Sequence, residues 1–181
     1  MKIILIGFRA TGKTTVGRLL AKRLGVPFLD VDQYLEEKEG QTIAEMVAKK
    51  GWPYFRTLEK KALRELAALK EGVLALGGGA VMHEEEMALL RQNACVVWLK
   101  APPALILKRL KRDEKTASQR PALTDMALAA EIENLLEKRE PLYRRFADWE
   151  VETAGLTPEE IVSRLKARLR ELRCFPGRRG R

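Results

Sequence analysis

The segment Gly7-Phe8-Arg9-Ala10-Thr11-Gly12-Lys13-Thr14 fits G-x-x-x-x-G-K-[ST] at every fixed position. The pattern suits the cradling of a chain of phosphates. Glycines let the backbone fold tightly round a phosphate with no Cβ in the way. The freed N–H groups point inward, and the N-terminus of the following helix adds partial positive charge. Lys13 is placed to reach the β- and γ-phosphates of ATP, and Thr14 to bind Mg²⁺ through its hydroxyl. The expected ATP contacts are therefore Gly7, Arg9, Ala10, Thr11, Gly12, Lys13, Thr14 and Thr15. The competing reading is a strand-to-helix turn without a ligand, in which a lysine at this point has no structural purpose.

Three further groups of residues suit an acceptor. In Phe28-Leu29-Asp30-Val31-Asp32 two carboxylates stand two residues apart at the end of a candidate strand, where ligands bind in open α/β sheets. One can help hold Mg²⁺ (Asp30) and the other can face an acceptor hydroxyl (Asp32); alternatively, one of them is the N-cap of a helix over Gln33–Glu39. Gly77-Gly78-Gly79 follow another candidate strand, and such a run suggests close backbone approach to a ligand or a flexible turn. Arg139 lies three residues beyond Leu136 on a helix with the apolar stripe Leu128, Ile132, Leu135 and Leu136. A guanidinium on that face needs an anion, either a ligand or a protein carboxylate.

These groups must be positioned by a scaffold, and its elements are legible. Strands are expected at Lys2–Ile6, Pro27–Leu29, Val73–Leu76, Cys95–Leu99 and Trp149–Glu152. The first and fourth are nearly all apolar, as strands buried on both faces are. Helical stripes alternate with them: Val16, Leu19, Leu20 and Leu24 before Gly25; Leu58, Ala62, Leu66 and Leu69 before Gly72; and Ile161, Leu165, Leu169 and Leu172 after Thr157-Pro158-Glu159-Glu160, a capping box with proline at the first helical position. The alternation predicts a parallel sheet covered on both faces. Residues 111–125 are polar and aperiodic, which predicts a lid.

The chain has 181 residues, enough for one domain with a proper core, and 46% of them are apolar. No run approaches the ~20 apolar residues of a membrane helix, and no signal peptide is recognisable, so a cytoplasmic protein is expected. Of the net charge of +9, residues 164–181 carry +7, leaving +2 for the other 163. Nucleic-acid binding would rest on a short basic tail alone and is not expected. Cys95 and Cys174 form no metal-binding or disulfide pattern. His83 is read as a polar residue starting a helix over Glu84–Gln92.

Taken together, Gly7–Thr14, Phe28–Asp32, Phe55-Arg56, Leu76–Val81, Arg120–Leu123 and Arg139–Tyr143 occur in the order and spacing of shikimate kinases, and the sequence resembles that family over residues 1 to 170. The resemblance implies an α/β, three-layer P-loop fold: a five-stranded parallel sheet in the order 2-3-1-4-5, helices on both faces and a mobile lid at about 111–125. The basic segment 174–181, with Pro176, Gly177 and Gly180, matches nothing in that family and reads as a flexible tail; over 1–173 the resemblance implies one kinase domain, with an acceptor-binding region at about 31–60. It implies transfer of the γ-phosphate of ATP to the 3-hydroxyl of shikimate with Mg²⁺, by a protein expected to be a monomer that binds neither nucleic acid nor membrane. Lys13, Asp32 and Arg120 would be catalytic, and Thr14 and Asp30 would lie at the metal. Asp32, Arg56, Gly77, Gly78, Gly79 and Arg139 would hold shikimate, with Arg56 and Arg139 clamping its carboxylate. Arg120 would reach the transferring phosphate and Arg112 the adenine. Thr153–Pro158 would run beside the adenine, and Glu59 would support the arginines. The family's usual glutamate after Gly51 is replaced by Trp52, for which a packing role is expected. Gluconate or a nucleoside monophosphate is the competing acceptor, and the absence of an NKxD motif disfavours a GTPase switch.

Overall fold

Alternation along one strand sorts the core. In β1 (Lys2–Ile6) every residue is buried. Ile3 and Leu5 face one side with Val16, Leu20, Val97, Ile161 and Leu165. Ile4 and Ile6 face the other with Val31, Phe55, Leu63, Leu74, Trp98 and Tyr143. A strand that is apolar on both faces needs cover on both, and helices supply it. The computed structural model describes residues 2–112 and 125–171.

Around β1 run β2 (Phe28–Asp30), β3 (Gly72–Ala75), β4 (Ala94–Lys100) and β5 (Trp149–Glu152). All pair in parallel, in the order β2-β3-β1-β4-β5. This is the expected topology, with strand limits within one residue of those read from the sequence. The helices are α1 (Lys13–Leu24), α2 (Val31–Glu39), α3 (Ile43–Ala67), α4 (Glu84–Arg91), α5 (Pro103–Arg112), α6 (Asp125–Phe146) and α7 (Pro158–Glu171), with a short 3₁₀ turn at Ala80–Met82. Helices α1 and α7 cover the Ile3/Leu5 face. Helices α2, α3, α4 and α6 cover the other. A third cluster, Phe8, Ala101, Ile106, Leu110, Ile132 and Leu136, joins α5 and α6 to the loop after β1.

The helix ends obey local chemistry. Gly25 closes α1 in the left-handed conformation, at φ 68°. Thr157 and Glu160 cap α7 reciprocally, as expected. Helix α3 is broken at Gly51, whose φ of 79° and ψ of 167° lie outside helical space. Its second half carries Arg56 and Glu59, with Phe55, Ala62, Leu63 and Leu66 buried below them. It ends at Ala67, so Leu69, expected on the apolar stripe, lies beyond it and is exposed. The lid expected at 111–125 and the tail at 174–181 lie, but for the lid's first two residues and its last, outside the described residues. Among the described residues, no helix is long and apolar enough to cross a membrane.

Gly72 opens β3 at φ 132°, where a Cβ would stand 3.1 Å from the Pro27 carbonyl oxygen. Backbone there cannot give way cheaply. Gly72→Ala is expected to destabilise the fold by about 1–3 kcal/mol, read as a fall of several degrees in melting temperature.

Candidate active site

The phosphate loop is shaped by contacts that exclude side chains. At Gly7, φ is 141° and a Cβ would lie 2.3 Å from the Leu99 carbonyl oxygen. Gly12, at φ 95°, is the N-cap of α1. The Thr11 hydroxyl donates to the Phe8 carbonyl at 2.8 Å and closes the loop on itself. Lys13 is buried, and its Nζ donates to the carbonyls of Gly7 (2.9 Å) and Phe8 (2.7 Å). Burial lowers its pKa to about 8, although Asp32 and Asp30 pull it back up.

Asp30 takes the capping role, and its second oxygen turns to the phosphate loop. One carboxylate oxygen accepts from the backbone N–H of Asp32 (3.1 Å) and of Gln33 (3.4 Å) and caps α2. The other accepts from the Thr14 hydroxyl at 2.6 Å. The helix therefore begins at Val31, two residues earlier than expected. Thr14 and Asp30 present an edge of oxygen donors, and Mg²⁺ takes such an edge while keeping several waters and phosphate oxygens. No group of three or more His, Cys, Asp or Glu that could hold a metal occurs among the described residues.

Asp32 stands between this cradle and the acceptor side. Burial raises its pKa to about 7, with Glu59 and Asp30 adding to the shift and Lys13 opposing it. The glycine run explains how these groups come so close. A Cβ on Gly77 would lie 2.6 Å from an Asp32 carboxylate oxygen and 3.1 Å from one of Glu59. On Gly78 it would meet the Arg9 backbone nitrogen at 3.2 Å, and on Gly79 two guanidinium nitrogens of Arg56 at 2.6 Å. The glycines thus make room for the protein's own polar groups, where the sequence suggested approach to a ligand.

Arg56 is held on several sides. It forms an ion pair with Glu59 at 2.5 Å, and its guanidinium lies 5.4 Å from the Trp52 ring and 5.3 Å from that of Phe55. Trp52 is 49% exposed and meets Phe55 edge-on, so its packing is against the arginine and not in the core. Burial pushes the Glu59 carboxyl up, but the His83 hydrogen bond and Arg56 outweigh this and hold it below its ordinary pKa. His83 does occupy the N-cap position of α4, yet its ring makes no capping bond and turns inward to Glu59.

Arg139 approaches from α6. Its guanidinium lies 5.7 Å from the Phe8 ring centre. Among the described residues it has no carboxylate ion-pair partner. It does interact with Tyr143, whose hydroxyl donates to the Gly78 carbonyl at 2.6 Å. Tyr143 closes the Arg139–Tyr143 motif but was given no role from sequence, although it lies one helical turn beyond Arg139 on the same face. Arg109 was also missed: it donates to the Ala10 carbonyl at 3.0 Å and to Thr153 at 3.4 Å. Arg112, one turn further along α5, is exposed. The Arg9 side chain turns to Glu131 on α6 (3.2 Å), so that only its backbone faces the loop interior. Thr15 is exposed on the first turn of α1. Arg120 lies outside the described residues.

Comparison with known proteins places this geometry. The family model described as shikimate kinase matches residues 9–170. A shikimate kinase of Syntrophus aciditrophicus is 38% identical over 179 residues, covering 94% of this chain and 92% of its own. One from Thermodesulfovibrio yellowstonii is 40% identical over 163 residues, covering 90% and 91%. The structure of an Acinetobacter baumannii shikimate kinase in complex with shikimate superposes with a TM-score of 0.86 at 37% identity, covering 94% of this chain and 93% of its own.

The raised pKa of Asp32 has a consequence for stability. The folded state disfavours ionised Asp32, so the protonated form's contribution is fully present below the unfolded value of 3.8 and is lost as pH rises through about 7. Asp32→Asn is expected to be more stable than the parent protein at pH 8, with the difference vanishing below about pH 4. Denaturant unfolding at the two pH values measures it.

Proposed function

The chain belongs to the shikimate kinase family, and from that premise we propose that it transfers the γ-phosphate of ATP to the 3-hydroxyl of shikimate, giving shikimate 3-phosphate and ADP on the route to aromatic amino acids. One observation carries the reading: Asp32 adjoins both the lysine of a phosphate cradle and the Arg56–Glu59 pair beside the glycine run. A single carboxyl can thus address a hydroxyl that lies between a phosphate donor and a carboxylate clamp.

The loop amides from Gly7 to Thr15 and Lys13 bind and neutralise the ATP phosphates. Thr14 and Asp30, whose oxygens lie together, would hold Mg²⁺, which would supply charge neutralisation on the phosphates. Arg56 and Arg139 bind the shikimate carboxylate, where planar guanidinium forks match a carboxylate in two-point contact. Asp32 orients the 3-hydroxyl. As the hydroxyl oxygen bonds to the γ-phosphorus and the bond to the departing ADP oxygen breaks, Asp32 takes the hydroxyl proton. A carboxyl with a pKa of about 7 suits that transfer at neutral pH. Arg120 is assigned to the transferring phosphate by the family resemblance alone, and Arg109 joins Arg112 as a basic group on the nucleotide side. We take the protein to act as a cytoplasmic monomer, and sedimentation tests the monomer.

The deciding experiment is ADP release with Mg²⁺-ATP and shikimate, beside gluconate and AMP. Release with shikimate alone is expected, as is its loss on metal chelation; no release from folded, ATP-binding protein overturns the acceptor. Arg139→Ala is expected to raise the shikimate KM by about 10- to 100-fold, as the loss of a charge-assisted contact does, with the ATP KM little changed. An unaltered shikimate KM would remove Arg139 from the clamp.

A further inference from the structure

The acceptor clamp contains a buried group that the proposed reaction does not use. The His83 ring is 6% exposed and the Glu59 side chain 1%. His83 Nε2 lies 2.8 Å from the Glu59 carboxylate oxygen that also accepts from Arg56 at 2.5 Å. One oxygen thus takes two hydrogen bonds, one from each side. Glu59 is held in its ionised form, so it can only accept, and the histidine must present Nε2–H to it.

The backbone that delivers His83 is the backbone that bounds Arg56. Gly79 packs against the Arg56 guanidinium, and the 3₁₀ turn Ala80–Met82 follows it. Ala80 and Val81 are buried in the core beside α3 and α4. The turn is pinned by bonds from Ala80 N to Gly77 O, Met82 N to Gly79 O and His83 N to Ala80 O, each 3.0 Å. His83 therefore fixes Glu59 from a segment whose position is set by the glycine run. The ring does nothing for α4: the N-cap position has no side-chain hydrogen bond.

We propose that His83 is a positioning residue for acceptor affinity: through Glu59 it holds the Arg56 guanidinium against Gly79 in the orientation that receives the acceptor carboxylate. Without the second donor, Glu59 is a buried carboxylate restrained on that oxygen by Arg56 alone. The Arg56–Glu59 pair can then rotate together, and the guanidinium edge that meets the ligand is no longer set. Trp52 and Phe55 bound the arginine by their rings but give it no hydrogen-bond direction.

The inference rests on the proposed shikimate phosphorylation, so the parent protein is assayed first; if it does not release ADP with shikimate, it is the proposed function that fails. In an active enzyme, His83→Leu fills the space without a donor, and His83→Gln returns an amide N–H near the position of Nε2. The expected result for His83→Leu is a shikimate KM raised about tenfold, the scale of one hydrogen bond to a charged group, with kcat and the ATP KM within about twofold. His83→Gln is expected to restore the shikimate KM to within about threefold of the parent. A parental shikimate KM in His83→Leu overturns the proposal. So does an equal loss in both variants, or a loss of kcat and ATP affinity as large as that of shikimate affinity, since a merely structural histidine would give either. If His83→Leu does not fold, His83→Asn, whose amide is too short to reach Glu59, takes its place beside His83→Gln, and a parental shikimate KM in His83→Asn overturns the proposal equally.

Discussion

At Gly77, Gly78 and Gly79 the loop after β3 has no room for a side chain, and the site is assembled around that constraint. A Cβ at these positions would stand 2.6 Å from Asp32, 3.2 Å from the backbone of the phosphate loop and 2.6 Å from the Arg56 guanidinium in turn. The Gly78 carbonyl accepts the Tyr143 hydroxyl from α6, and four residues after Gly79 the same segment delivers His83 to Glu59. Groups from the ends of β1, β2 and β3 and from α3 and α6 therefore meet against one short stretch of bare backbone. Tight packing of main chain is what brings donor side and acceptor side within reach of a single carboxylate.

That closeness has an electrostatic cost, distributed unevenly. Lys13 feels the charges of Asp32, Asp30 and Arg139, and Asp32 those of Glu59, Asp30, Lys13 and Glu36. Glu59 is stabilised as an anion by two donors. Asp32 is pushed up to about 7, first by burial and then by the carboxylates of Glu59, Asp30 and Glu36, with Lys13 as its favourable neighbour. Pairs of titratable groups driven apart by their surroundings mark acid–base sites. Here the separation is built from one structural anion that is fully paired and one poorly paired anion that faces the reaction.

The fold was legible because its signals are local and periodic. The two-faced apolar strand β1, the glycine stop after α1 and the capping box of α7 are each read within a few residues. The phosphate loop was legible because its chemistry fixes both residue type and spacing. Other features depend on partners distant in sequence. Glu59 and His83 are 24 residues apart, Tyr143 and Gly78 are 65 apart, and Arg109 and Ala10 are 99 apart. No spacing rule reaches over such distances, so His83 read as the start of a helix and Arg109 was passed over for Arg112. The Asp30 alternatives, cap or metal side, could not be separated in sequence because one carboxylate has an oxygen for each: one caps α2 and the other meets Thr14.

Tyr143 shows how such a site can answer to acidity without losing its shape. Burial raises the phenol's pKa above its ordinary value of 10.0, so its O–H remains a donor across the whole neutral range and the bond to Gly78 never switches. Glu59, shifted the other way, remains an acceptor over that same range. These two contacts are thus insulated from proton activity, while Asp32 and Lys13 titrate nearer neutrality. A change of pH alters the charge presented to the reacting hydroxyl and leaves the Tyr143 and Glu59 contacts in place.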